Sequence, residues 1–154
     1  MLPNKKENIY MKKIIVSMLC ASFCIPALAA EGRWTEGFGQ GNLEYFIDKL
    51  GLRLYIGCPT EDGSADSPSS VSLYRINDNT DITKFTLLVN GITYDAPFEA
   101  VSRVEINNFT SLLENLRKGN AIVKFGSKSI TFPRGNADKV IPVYGSKNFS
   151  CNLI

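Results

Sequence analysis

Few residues in this chain have both the type and the spacing that chemistry needs. Ser127-Lys128-Ser129 sets a hydroxyl beside an amine, and a Ser-Lys dyad is one of the few hydrolytic arrangements that works without histidine. These residues fall at an expected hairpin tip, however, where a lysine is ordinarily solvated. Glu61, Asp62 and Asp66 offer hard oxygen ligands in one stretch and Asp78 with Asp81 in another, the donor type that calcium takes. Neither stretch has the D-x-[DN]-x-[DN]-G spacing with a distal glutamate, so solvated acidic loops are the plainer reading. The chain contains no histidine, which removes the commonest general base and metal ligand and with them Ser-His-Asp, Cys-His and zinc-hydrolase chemistry. The sequence selects no pair of carboxylates for glycosidase work. No catalytic residue, metal or cofactor is assigned.

The first thirty residues read as an address. Lys12 and Lys13 precede the apolar run Ile14 to Ala27, which ends in Ala27-Leu28-Ala29-Ala30 before Glu31. That is a charged n-region, an apolar h-region and an A-x-A cleavage site in order, so residues 1–30 are expected to be a signal peptide cut near Ala30/Glu31. The run is shorter than the roughly 18 residues of a membrane span, so the mature chain is not expected to span a membrane. Met11, followed by two lysines, makes a better signal start than Met1. Cys20 and Cys24 follow Leu19 and Phe23 rather than a small residue, which argues against a lipid anchor. Cleavage removes Lys5, Lys6, Lys12 and Lys13 with only Glu7, turning a formal +2 into −1. The basic excess belongs to the leader, and a nucleic-acid partner is not expected.

Cys58 and Cys151 remain, and in an exported chain an even pair reads as one disulfide. Closing so long a loop is worth roughly 4 to 5 kcal/mol in the chain-entropy account.

The elements that must position these residues follow from periodicity. Residues 31–42, EGRWTEGFGQGN, show no apolar period and read as an irregular arm, with Trp34 and Phe38 as anchors onto the core and no nucleotide loop in the glycines. Residues 43–154 read as one α+β domain. Leu43–Asp48 and Leu52–Cys58 form a hairpin, and in the second strand Leu52, Leu54 and Ile56 share one face while Arg53 and Tyr55 share the other. Pro59 to Ser70 is a long exposed loop. Val71–Ile76 is a strand, and Lys84–Val89 with Ile92–Tyr94 flank Asn90-Gly91, a type I′ signal that sets Val89 opposite Ile92 and Leu87 opposite Tyr94. Phe109, Leu112, Leu113 and Leu116 mark a helix, with Asn108 as N-cap, Arg117 and Lys118 at its negative end and Gly119 in the C′ turn. Ala121–Phe125 and Lys128–Phe132 form a hairpin, and Lys139–Tyr144 and Phe149–Cys151 complete the sheet. The fold class is α+β: a mainly antiparallel curved sheet, sandwich or partial barrel, with one packed helix.

Charge is unevenly spread, residues 31–82 carrying a net −5 and residues 83–154 a net +4. Lys124, Ser129 and Thr131 share one polar face near Lys128. Such a bipolar surface can steer a charged protein partner. Trp34, Glu61, Asp62, Asp66, Lys124 and Lys128 are therefore the candidate partner contacts.

The order Val89-Asn90-Gly91, Ala96-Pro97-Phe98, the helix Leu112 to Gly119 (LLENLRKG), the strand AIVKF and then KSITFPRGNADKVI resembles the C-terminal half of the invasion-associated locus B family of exported bacterial proteins. Trp34 suits that family's start. The likeness covers about sixty residues. It implies an envelope or secreted accessory role and carries over no site residue. The favoured expectation is a non-enzymatic periplasmic or secreted binding protein that meets a protein or envelope component through loops of a disulfide-tied sheet. An inhibitor or immunity protein blocking an enzyme such as a toxin or lysozyme comes next, and a histidine-independent hydrolase third.

Overall fold

The computed structural model describes residues 30–60 and 66–153. Its strands are β1 (Trp34–Gly39), β2 (Asn42–Lys49), β3 (Leu52–Pro59), β4 (Ser70–Arg75), β5 (Phe85–Val89), β6 (Ile92–Ala96), β7 (Phe98–Glu99), β8 (Ala121–Phe125) and β9 (Lys128–Phe132). Its helices are α1 (Arg103–Leu116) and the short α2 (Ala137–Val140). The expected signal peptide, apart from Ala30, and Glu61 and Asp62 lie outside the described residues.

Two antiparallel sheets result, one of five strands in the order β1-β2-β3-β4-β7 and one of four in the order β6-β5-β8-β9. They do not close into a barrel. Alternation builds both: in β3, Leu52, Leu54, Ile56 and Cys58 are buried while Arg53 and Tyr55 face outward. Three hairpins close on Gln40-Gly41, Leu50-Gly51 and Asn90-Gly91, each with both residues at positive φ, the turn whose twist matches that of the strands it joins. Around Asn90-Gly91 the register is Val89 opposite Ile92 and Leu87 opposite Tyr94, as expected. The inner faces and α1 share one apolar core that includes Leu54, Leu73, Leu87, Phe109, Leu113 and Phe132.

Residues 34–39 are not an irregular arm but a strand paired along its length with β2, from Trp34 opposite Ile47 to Gly39 opposite Asn42. Gly37 and Gly39 occupy outward positions, so the alternation that would reveal β1 is missing on one side. Helix α1 starts at Ser102, whose Oγ accepts the Glu105 N–H at 3.3 Å. Asn108 lies inside the helix, because Ser102 caps it and the fully buried stripe begins only at Phe109, with Ile106 half-buried against the core a turn before. Gly119 does not take a left-handed φ. What requires a glycine there is close packing, since a Cβ would collide with the Asn90 side chain.

The expected strands Lys139–Tyr144 and Phe149–Cys151 are absent, and that stretch is α2 followed by irregular chain. Arg117, at the end of α1, donates through Nη1 to the carbonyls of Asp138 and Ile141. Pro142 has no N–H to give a ladder. Side chains thus take the main-chain groups that a strand would need.

Candidate functional site

Cys58 and Cys151 form a disulfide, with Cα atoms 4.4 Å apart. It ties the end of β3 to the C-terminal segment, where the Asn152 N–H also donates to the Pro59 carbonyl at 3.0 Å. β3 is thereby fixed at one end by a covalent bond and along both edges by β2 and β4.

That strand carries a cluster of polar and aromatic side chains on the outward face of the first sheet. Cross-strand register places Phe46, Tyr55 and Ser72 in one row, Asp48, Arg53 and Tyr74 in the next, and Glu44, Gly57, Ser70 and Glu99 in a third. Arg53 makes a forked ion pair with Asp48, Nε to Oδ1 at 2.6 Å and Nη2 to Oδ2 at 2.7 Å. Its guanidinium lies 3.9 Å from the centre of the Phe46 ring and 5.9 Å from that of Tyr74, within cation–π range. The Asp48 hydrogen bonds hold Arg53 protonated far above its ordinary range. Tyr55 donates to Glu44 Oε1 at 2.9 Å, and partial burial, followed by that bond, pushes its phenol well above the ordinary value. Gly57 makes room for this ring: a Cβ there would sit 3.1 Å from Tyr55 Cε1 and 3.0 Å from Ser70 Oγ. Phe46, Arg53, Tyr55 and Tyr74 are all half-buried. The face is a pre-ordered plane of aromatic rings and one guanidinium, with carboxylates at its border.

Toward β4 and β7 the plane runs into a cleft of about 570 Å³ bordered by Ser70, Ser72, Asp81, Thr83, Pro97 and Glu99. Its floor is apolar, from Val71, Leu73, Ile82 and Phe98, and its lining has carboxylates and hydroxyls but no cation. Such a surface can take large apolar and cationic side chains of a partner.

The sequence-derived candidates are scattered around this plane. Trp34 is only 3% exposed and sits in the core, so it anchors β1 and is not a surface contact. Asp66 is exposed in the connection between β3 and β4, which leaves the sheet at the Gly57 and Ser70 end. Lys128 is at the opposite end, where a second cavity of about 340 Å³ lies between Leu50, Arg75, Phe125 and Lys128. Lys124 faces outward on the second sheet, opposite Ser129. Asp66 and Lys128 are thus not brought together. Ser127, Lys128 and Ser129 are exposed residues of a tight turn and strand edge. Asp78 Oδ1 accepts the Thr80 N–H at 3.0 Å, and its bonds to Thr80 hold its carboxyl below the usual range. Among the described residues, no three Cys, Asp or Glu side chains are grouped so as to hold a metal ion, and no helix is long and apolar enough to cross a membrane.

The Phe46, Arg53, Tyr55 and Tyr74 cluster was missed at the level of sequence. The alternation of Arg53 and Tyr55 gives their shared face, but the neighbours from β2 and β4 depend on pairing register. A signal was present in the outward positions themselves, where tyrosine, arginine and phenylalanine stand in place of lysine, glutamate and threonine.

Three comparisons bear on descent. No solved structure matches the chain. The chain is 29% identical over 140 residues to the Uncharacterized protein YfjT of Escherichia coli strain K12, covering 84% of this chain and 89% of that protein. The YfjT family model matches residues 32–141. This overturns the resemblance to the invasion-associated locus B family, which rested on a helix, a basic-Gly step and a hairpin, local elements that unrelated α+β chains share. With β1 through α2 covered by that one match, the chain belongs to the YfjT family.

Proposed function

We propose that this chain is an exported, non-enzymatic binding or accessory protein of the bacterial envelope, and that it recognises a protein partner through the outward face of its disulfide-tied first sheet and the adjoining β3–β4 loop. The observation that carries this reading is the Arg53 cluster: a guanidinium between Phe46 and Tyr74, locked by Asp48, on a strand held by Cys58. Arginine and tyrosine dominate binding hot spots because they bring large contact area with few rotatable bonds, and ordering them beforehand lowers the entropy lost on association. The disulfide suits an oxidising compartment, and residues 12–30 have the charge and apolar pattern of a cleaved leader.

Two measurements test it. Mass analysis of the chain recovered from the periplasm should show a start near Glu31; a full-length cytoplasmic product contradicts export. The triple substitution Phe46→Ser, Tyr55→Ser and Tyr74→Ser should abolish co-purification of a discrete envelope protein from cross-linked cells, while Lys124→Ser leaves it intact. Equal recovery with both variants contradicts the assignment of the face. A recovered enzyme whose activity falls on adding the purified chain would make the accessory role one of inhibition.

A further inference from the structure

The open edge of β1 carries an inference that does not depend on the partner-binding reading. Trp34 donates its main-chain N–H to Asn136 Oδ1 at 2.9 Å and accepts from Asn136 Nδ2 at 3.0 Å. These bonds show that the Trp34 main chain points away from β2. Main-chain direction alternates along a strand, so the N–H and C=O of Glu36 and Phe38 point the same way. The register agrees, because Gly39 and Asn42 close the two-residue hairpin and must be a hydrogen-bonded pair, which leaves Phe38, Glu36 and Trp34 facing out. Asn136 thus occupies one step of this edge and leaves the next two open. Beside them Phe38 is 69% exposed, a large apolar side chain on an edge that has no proline, lysine or bulge to block pairing.

The edges of β7 and β9 are less open. β7 has two residues. On β9, Lys49 Nζ donates to the Thr131 carbonyl at 2.8 Å. β6 presents Thr93 and the charged Asp95.

We infer that β1 pairs antiparallel with β1 of a second copy of this chain, centred on Gly37, to make a two-fold dimer with a continuous ten-stranded sheet. The register follows from which groups are open. Centring on Gly37 sets Glu36 opposite Phe38 of the other copy twice, so all four open N–H groups and all four open carbonyls are used. Centring on Glu36 would need the Trp34 groups already held by Asn136 and would oppose two glutamates. Centring on Phe38 would need Gln40, which lies in the turn with φ 53°. In the Gly37 register no like charges meet, and the two glycines face each other in the closer, non-hydrogen-bonded type of pair, at a Cα separation of about 4.5 Å.

The test combines sedimentation equilibrium with cysteine cross-linking on the purified chain. Over about 10 μM to 1 mM it should show a monomer–dimer equilibrium; a monomer throughout overturns the inference. Gly37→Cys should give a disulfide-linked dimer under mild oxidation, since a Cβ there makes only ordinary contacts with Glu44 and Phe46. Gly39→Cys, whose counterpart in this register is Thr35, should not; equal cross-linking of the two overturns the register. Glu36→Pro removes an N–H that β2 does not use, so it should fold and raise the dimer dissociation constant about tenfold or more. An unchanged constant in folded Glu36→Pro overturns the use of this edge.

Discussion

On the first sheet, the outward positions of β2, β3 and β4 carry Phe46, Arg53, Tyr55 and Tyr74, joined by an ion pair and ring contacts. On the second, the outward positions of β5, β6, β8 and β9 carry Thr86, Leu88, Thr93, Asp95, Ile122, Lys124, Ser129 and Thr131. The second set is what a half-solvated sheet needs: β-branched residues that suit the pleat and isolated charges for solubility. The first set exceeds that need, because a forked guanidinium–carboxylate pair between two rings costs side-chain freedom that a plain solvent face does not spend. The boundary in charge runs the same way. The acidic half of the sequence builds β1 to β4, and the basic half contributes all of the second sheet. The shared alternation folds both sheets; what differs is the choice of residue at positions that folding leaves free.

Removing the disulfide should have the largest effect on this contrast. Cys58→Ser with Cys151→Ser opens a crosslink spanning 93 positions and should cost up to about 4 kcal/mol. Denaturant unfolding measures the total, and hydrogen exchange should show β3 losing protection before β5 and β8. Uniform loss in both sheets would mean the bond does not specifically hold the first. Asp48→Ala comes next, at about 1 to 3 kcal/mol, because Arg53 is left without its anion in a partly buried position. Lys124→Ala on the second sheet should change stability by less than about 0.5 kcal/mol. Similar costs for the two would erase the distinction between the faces.

Leu50 offers a smaller test of opposite sign. It holds φ 50° in the β2–β3 turn and is 69% exposed. Left-handed backbone costs a non-glycine residue roughly 1 to 2 kcal/mol, and asparagine tolerates it better, so Leu50→Asn should stabilise by up to about 1 kcal/mol. The smallest effect, invisible at neutral pH, is an alkaline one. Burial and then Glu36 push the Tyr45 phenol up to about 12, and Tyr55 is raised as well. Both pKa values are higher folded than unfolded, so the fold retains their protons longer. Stability is fully present below about pH 10 and falls as pH rises from there toward 12. Phenolate absorbance should therefore show Tyr45 and Tyr55, both on the first sheet, ionising late. Ordinary titration of Tyr45 and Tyr55 would contradict the burial described for them.

Much of the fold was legible because local signals and tertiary packing agree. Asn90-Gly91 fixed both a turn and a register, and Phe109, Leu112, Leu113 and Leu116 marked a helix face that is buried as expected. Legibility failed where side chains replaced main-chain partners or glycine hid a period. Gly37 and Gly39 concealed β1, and the Arg117 bonds to Asp138 and Ile141 drew residues 139–144 out of a strand. The disulfide followed from arithmetic on two cysteines. The Arg53 cluster did not, since its members come from three strands whose pairing no local pattern states.

The proposed function places the binding face on the first sheet and not on the second. Site-specific photo-cross-linking in living cells tests it most directly, with the photoreactive residue placed in turn at Tyr55, Tyr74, Thr93 and Lys124. Tyr55 and Tyr74 should give one discrete adduct, and Thr93 and Lys124 none. Adducts of equal yield from both sheets, or from the second alone, would contradict it.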